Sequence, residues 1–256
     1  HNFECLKAKV ESNFTDGIEY LKHTNQIFDL IYIDPSRRNE NNTKVVKLEQ
    51  YYPNIILHLN LLLEKGKQIL IKTSPLLDIK KSMEQLPQIK EIHVIAVNNE
   101  CKELLFLINA NSRKKQTSII CKDLLKDFTF KFDYEQEFNC KINLSLPQNY
   151  IYEPNASILK AGAFKSIALS FELSKLHANS HLYTSENYIK EFPGRCFELN
   201  AICRLNKKEI QTAIRSKKAN ISKRNFPNSV NEIRKKLGLN DGGNAVSYTH
   251  LTLPTI

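Results

Sequence analysis

The segment Ile31–Arg38, IYIDPSRR, has the residue types and spacing best suited to chemistry. Phe28–Ile33 is an apolar, β-branched run that predicts a strand buried on both faces of a parallel sheet, with Asp34 at its carboxyl edge. Open α/β sheets bind their ligands at that edge. Pro35 stiffens the turn and withholds an amide, which leaves carbonyls and the Asp34 carboxylate to face a substrate. Ser36, Arg37 and Arg38 follow at once. The same string also suits a plain strand end with a capping Asp. Lys72 and Ser74 end the next strand on the same edge, where they would line an acceptor, although Ser74 also suits a helix cap. Tyr51-Tyr52-Pro53 fits either the border of such a site or the core.

A second concentration is electrostatic. Of 256 residues, 37 are Lys or Arg and 27 Asp or Glu, a formal net charge of +10. Residues 1–112 balance at 14 basic and 14 acidic, whereas residues 113–244 carry 23 against 13. Arg195–Lys236 alone holds 12 basic and 3 acidic residues, the footprint of a polyanion-binding surface. Lys207, Lys208, Arg215, Lys217 and Lys218 fall on or near one expected helix, and Lys223 and Arg224 follow a strand. Arg234, Lys235 and Lys236 close the last helix, where they also suit its macrodipole. Phe192, Phe197 and Phe226 could stack on bases, but their spacing is more usual for core residues.

Other chemistries have little support. The six Cys (5, 101, 121, 140, 196, 203) form no CxxC pair, which fits reduced, inert thiols in a cytoplasmic protein. Neither Cys140 nor Cys196 has a paired His for nucleophilic work. His177 and His181 are four apart without a third ligand in reach, so no metal is expected. No apolar run approaches the about 20 residues of a membrane span.

Around these candidates the chain predicts an ordered series of elements. A helix already under way at His1 leads to a short strand at Val10–Phe14, a turn at Asp16-Gly17 and a brief helix. After Phe28–Ile33 come a helix over Val45–Leu63 broken at Pro53, a Gly66 cap, and a strand at Gln68–Lys72. A helix opened by Ser74-Pro75 follows, then strands at Glu91–Val97 and Leu104–Ile108 joined through Asn98–Lys102. Phe128–Phe132 and Lys141–Leu146 alternate like paired strands, and ASILKAGAFKSIALSF after Asn155 reads as one helix. A short strand at His181–Tyr183 and a turn at EFPGR precede a strand (CFELNAICRL), a helix (NKKEIQTAIRSKK), a strand (NISKRNF) and a helix with a Ser229/Glu232 capping box ended by Gly238. The uncharged AVSYTHLTLPTI at 245–256 is similar to the translation of a transposase-derived sequencing adapter, and is expected to be a non-native tail that replaces a final strand; the alternative is a natural terminal strand.

The series TDGIEYL, IYIDPSRR, ILIKTSP and a terminal hairpin resembles class I S-adenosylmethionine-dependent methyltransferases from just after their second motif onward. YEPNASILKAG and SKRNFP…LGL…DGG resemble one set of these, with a ferredoxin-like insert and a carboxyl-terminal THUMP-like domain. The resemblance covers residues 1–244. It implies an α/β fold: a truncated Rossmann-like methyltransferase sheet at 1–112, a connecting β segment at 113–150, a ferredoxin-like segment at 151–194 and a basic THUMP-like domain at 195–244. It further implies S-adenosylmethionine as cofactor, with Asp16, Gly17 and Asp34 on the donor side. Asp34, Pro35, Ser36 and Arg37 would form the catalytic loop, in the place of an Asp/Asn-Pro-Pro-aromatic loop. RNA would be the partner, bound through Lys207, Lys208, Arg215, Lys217, Lys218, Lys223 and Arg224. Ser36 and Arg37 stand where a Pro and an aromatic would hold a flipped base, a departure from amino-methylating enzymes. No GxGxG occurs in the chain, so this piece by itself is expected to bind the donor poorly. The competing readings are a non-enzymatic RNA-binding protein on a methyltransferase scaffold, and an enzyme whose Arg37 and Arg38 hold a small anionic acceptor.

Overall fold

The computed structural model describes residues 9–36, 47–86, 88–110, 116–214, 217–224 and 226–250. It divides into two compact units, residues 1–93 with 102–118 and residues 94–101 with 119–256.

In the first unit, α1 (Gly17–His23) starts where the Asp16 carboxylate accepts the amides of Ile18 and Glu19 at 2.8 and 3.1 Å. β1 (Phe28–Ile33) and β2 (Gly66–Thr73) are parallel, with Phe28 opposite Gly66 and Ile33 opposite Ile71. Their crossover holds a 3-10 turn at Leu48–Gln50 and α2 (Ile55–Lys65), which buries Ile55, Leu59 and Leu62 on one stripe. α3 (Ile79–Gln85) follows, then β3 (Ile89–Val97) and β4 (Glu100–Asn109). Together with β5 (Ser118–Asp123) and β6 (Phe128–Phe132) these make a mixed sheet of order β1-β2-β4-β3-β5-β6. The architecture is mixed α/β, Rossmann-like in its parallel β1-α2-β2 crossover.

Several local expectations change here. β1 stands at the sheet edge instead of being covered on both faces, with Leu30 and Tyr32 48% and 54% exposed. An apolar run specifies a strand that seeks burial, but not which strand lies beside it. Val10–Phe14 forms no ladder. The helix expected at Ser74 begins later because Asp78 caps it, accepting from Lys81 at 3.0 Å, while Ser74 closes a turn with Leu76 and Leu77. Gly66 does cap α2, its N–H donating to Leu62 O, but in an extended rather than left-handed conformation. Its lack of a side chain serves close packing, since a Cβ there would lie 2.8 Å from Ile31 Cδ1.

The second unit continues with α4 (Tyr134–Asn139), β7 (Tyr150–Pro154), α5 (Ala156–Ala161), α6 (Ser166–Ser170), β8 (Ser174–Lys175), β9 (Tyr183–Ser185) and β10 (Gly194–Glu198). The sheet order is β10-β7-β9-β8. α7 (Lys207–Ile214), β11 (Asn220–Arg224), α8 (Val230–Leu237) and β12 (Val246–His250) complete it. β11 and β12 pair in parallel. Residues 246–250 of the adapter-like segment thus form a strand here, and Tyr248 donates to Glu153 at 3.1 Å.

The expected single helix after Asn155 is two, parted where Gly162 turns left-handed at φ 79°. Lys141–Leu146 makes only an isolated bridge, Leu144 to Lys175, and β6 pairs instead with β5. The Ser229/Glu232 capping box and the left-handed Gly238 are present as read from sequence.

Two carboxylates organise this unit. Asp123 is fully buried and accepts the amides of Asn98 (3.2 Å), Asn99 (2.7 Å), Leu125 (3.1 Å) and Lys126 (3.4 Å), and the Asn155 side chain at 2.8 Å. Burial alone would raise its pKa, but the donors from Asn99, Asn155, Leu125 and Lys126 outweigh it and hold the carboxyl below its ordinary value. Glu137 accepts the amides of Phe164, Lys165 and Ser166 at 3.0, 2.8 and 2.8 Å, holding the entry to α6.

Gly194 in EFPGR meets the tightest backbone contact. A Cβ there would lie 2.2 Å from Glu153 O and 2.9 Å from Pro154 Cα, all backbone of the paired strand β7. Gly194→Ala is therefore expected to lower stability by about 2 kcal/mol or more, read from urea unfolding of the variant against wild type. A loss within 0.5 kcal/mol, the ordinary range of surface changes, would show that β7 and β10 can move apart.

Candidate active site and basic surface

Asp34 lies one residue past the β1-β2 ladder, and Lys72 of β2 lies directly across from it in register. Lys72 Nζ is 2.5 Å from Asp34 Oδ2, with the two side chains 33% and 49% exposed. The hydrogen bond to Asp34 holds the Lys72 ammonium above its ordinary range, helped by the charges of Asp34, Tyr32 and Glu103 against partial burial. A parallel register that the sequence could only suggest thus gives the Asp34 carboxylate a fixed cationic neighbour. Pro35 is buried and anchors the loop, while Ser36 faces solvent. Ser36 N donates to Tyr52 O at 2.7 Å and Tyr52 N to Ser36 O at 3.1 Å, so the Asp-Pro-Ser loop is clamped to the Tyr51-Tyr52-Pro53 segment. Arg37 and Arg38 lie outside the described residues.

Asp34 and Pro53 share a cavity of about 430 Å³ with Asp16, Gly17, Ile18, Phe28 and Leu30. That volume is within the range of small-molecule sites. Its wall is apolar and aromatic on the β1 side and acidic at Asp16 and Asp34. Asp16 Oδ1 is committed to capping α1. A Cβ at Gly17 would meet nothing within 4 Å, so no close approach requires glycine there. Ser74 does not join this wall, being 6% exposed and held in its own turn.

The basic candidates separate into two groups. Lys207 and Lys208 open α7 and are exposed, as are Lys217 and Lys218 just before β11. The turn after α8 joins them. A Cβ at Gly238 would lie 2.8 Å from Lys207 Cε, one at Gly243 3.2 Å from Lys218 Cβ, and Asn240 N donates to Lys217 O at 2.7 Å. Lys207, Lys217 and Lys218 are thereby gathered around residues 238–243. Lys223 lies further along β11, about 16 Å from Lys218 at 3.3 Å per residue, and donates to Phe226 O at 3.4 Å. Arg224 contributes its backbone to β11, and Arg215 and the side chain of Arg224 lie outside the described residues.

The aromatic candidates are packing residues. Phe192 is buried against Tyr152 and Phe171, Phe197 packs edge-on to Tyr248, and Phe226 sits against the cluster of Ala219, Ile233, Leu237 and Leu239. His181 stacks on Phe164 at 3.7 Å, and burial lowers its pKa further from the cationic form. Among the described residues no group of three His, Cys, Asp or Glu is placed to hold a metal, and no helix is long and apolar enough to cross a membrane. Burial pushes the Cys101 thiol up to about 11 and that of Cys121 higher still, which leaves both as thiols rather than nucleophilic thiolates.

Sequence reasoning did not single out Asp123 or Glu137, whose donors come from segments remote in the chain. The sequence does not separate Tyr52 from its buried neighbour Tyr51, which is 2% exposed against 67% for Tyr52.

Residues 150–193 match a ferredoxin-like domain family, and residues 194–252 match a THUMP domain-like family. A crystal structure of a "putative methyltransferase" from Porphyromonas gingivalis W83 superimposes with a TM-score of 0.74 at 36% sequence identity, over 86% of this chain. The chain spans 55% of the length of that neighbour. No curated protein matches it.

Proposed function

For a chain that carries a ferredoxin-like and a THUMP-like domain beyond a Rossmann-like sheet, we propose the role of an S-adenosylmethionine-dependent RNA methyltransferase whose acceptor loop is Asp34–Arg37. The observation that carries this reading is the exposed Asp34 carboxylate at the carboxyl end of β1, pinned by Lys72 at 2.5 Å and facing a ligand-sized cavity. The donor would supply an electrophilic methyl group on a sulfonium, and its transfer is an in-line displacement limited by positioning rather than by acid–base chemistry.

Asp34 would accept a hydrogen bond from the acceptor's N–H or O–H and so turn a lone pair toward the methyl carbon. Lys72 keeps that carboxylate oriented, and the Ser36-Tyr52 clamp keeps the loop from swinging away. Ile18, Phe28 and Leu30, with Asp16 and Gly17 at the rim, suit the adenosine side of the donor. The glycine-rich turn that would hold the rest of it does not occur among the 256 residues. Since the chain spans 55% of the length of its structural neighbour, donor binding is proposed for a full gene product of that neighbour's extent. The division of the chain at residues 112, 150 and 194, a cytoplasmic location and the adapter origin of residues 245–256 belong to this same proposal.

Lys207, Lys208, Lys217 and Lys218 would grip RNA phosphates, with Lys223, Arg224 and Arg215 extending the contact. Each phosphate neutralised releases counterions, so affinity for a structured RNA should fall with salt at a slope of about 0.7–0.9 per contact. The triple variant Lys207→Ala/Lys217→Ala/Lys218→Ala is expected to flatten that slope by about 2 to 3. Fluorescence anisotropy titrations between low and physiological salt provide the check. A slope near zero in the wild-type chain would contradict phosphate-driven binding.

A further inference from the structure

The proposed acceptor loop lacks an aromatic ring at Ser36 and Arg37, but the fold brings Tyr52 opposite Ser36 from further along the chain. Ser36 and Tyr52 exchange both of their backbone hydrogen bonds, at 2.7 and 3.1 Å, as an antiparallel bridge. Directly opposed residues of such a bridge carry their side chains on the same face, about 5 Å apart at Cβ. Exposure follows the alternation expected of extended segments: Asp34 out, Pro35 in, Ser36 out, and opposite them Tyr51 in, Tyr52 out. Asp34, Ser36 and Tyr52 therefore share one solvent-facing side. The next residue, Pro53, lines the same cavity as Asp34 and Tyr32.

We infer that Tyr52 is the stacking platform of the acceptor site, and that its ligand is an unpaired nucleobase of RNA held with its polar edge toward Asp34. This rests on the reading proposed above and specifies the part of the RNA that enters the site. Tyr51 and Tyr52 divide the work between them. Tyr51 is buried and fixes the segment, while Tyr52 leaves 67% of its surface to solvent on the side that Asp34 and Ser36 share. A phenol ring is sequence-tolerant toward bases because every base presents a π-face, and the Asp34 carboxylate then selects those with a donor on the facing edge. The platform comes from a segment clamped to the loop rather than from the loop itself, which leaves the positions after Ser36 free of the aromatic requirement.

The test is a set of anisotropy titrations of the full 256-residue chain with a labelled single-stranded RNA and with a base-free ribose-phosphate oligomer of the same length. Tyr52→Ala is expected to weaken RNA binding about tenfold, and Tyr52→Phe to stay within about twofold of wild type. Wild type should prefer RNA over the base-free oligomer by a similar factor, and Tyr52→Ala should lose that preference. The salt slope should be the same in all three proteins, because the lysines that set it are untouched. Wild-type affinity in Tyr52→Ala, with the salt slope intact, would overturn the role of Tyr52 and leave RNA binding standing. Failure of the wild-type chain to bind RNA at any salt would overturn the RNA reading, and the Tyr52 inference with it.

Discussion

Asp123→Ala is expected to destabilise the second unit by about 3–4 kcal/mol, because it strands several buried donors at once. The carboxylate receives the amides of both turn residues of the β3-β4 hairpin, two amides of the turn after β5, and the Asn155 side chain that starts α5. Asn98 and Asn99 adopt φ of 51° and 62°, the left-handed pair that a tight two-residue hairpin turn requires, and Asn99 in turn accepts the amide of Ala156 at 2.9 Å. One side chain therefore ties together three segments that the sequence keeps far apart. Asp123→Asn retains one acceptor oxygen but turns an N–H toward the donors, and should lose about 2 kcal/mol.

The pH dependence has a definite sign. The folded pKa of Asp123 is lowered from 3.8, so its contribution is complete above that value and is lost as pH falls through the lower, folded one. The stability gap between wild type and Asp123→Asn should hold from neutral pH down to the ordinary carboxylate range and narrow as pH falls below it. Urea unfolding followed by circular dichroism across this range reads it. A loss below about 1 kcal/mol at pH 7 would contradict the role given to this carboxylate.

The second large effect concerns the acceptor loop. Asp34→Ala in the full gene product is expected to reduce methyl transfer by about 100-fold or more, since in-line displacement depends on orientation and this carboxylate is the orienting group we propose. Lys72→Met should act more mildly. It removes the 2.5 Å partner that holds Asp34 in place, so kcat should fall about tenfold with KM little changed. Equal damage to kcat and to thermal stability would instead make the pair a structural ion pair. Radiolabelled turnover of the three proteins against the same RNA separates these outcomes.

What could be read from the chain followed the range of the interactions involved. Caps are local, and Ser229 with Glu232 and Gly238 stand as their spacing implies, while the turn read at Asp16 is the cap of α1. The strand ending in Asp34 was legible because hydrophobic period and Asp-Pro coincide there. Gly66 caps α2 as its position implies, but its contact with Ile31, a residue of another strand, leaves no local trace. The start of α3 was displaced by four residues because Ser74-Pro75 and Asp78 both carry capping chemistry, and only the turn around Leu77 decides between them. β5 escaped notice since SIICKD is short and ends in two charged residues, and its pairing with β6 is settled by the sheet. Tyr52 is the instructive case. Its identity was visible, but its outward orientation depends on a bridge to Ser36, which no local pattern encodes.

The most direct measurement of the central claim is transfer of a labelled methyl group from S-adenosylmethionine to total RNA by the full gene product, with Asp34→Ala alongside. Label in RNA from the wild type, reduced about 100-fold in the variant, is the predicted result. No label in RNA from a folded wild-type protein that still binds RNA with a steep salt dependence would contradict it, and would make the chain part of an RNA-binding protein on a methyltransferase scaffold.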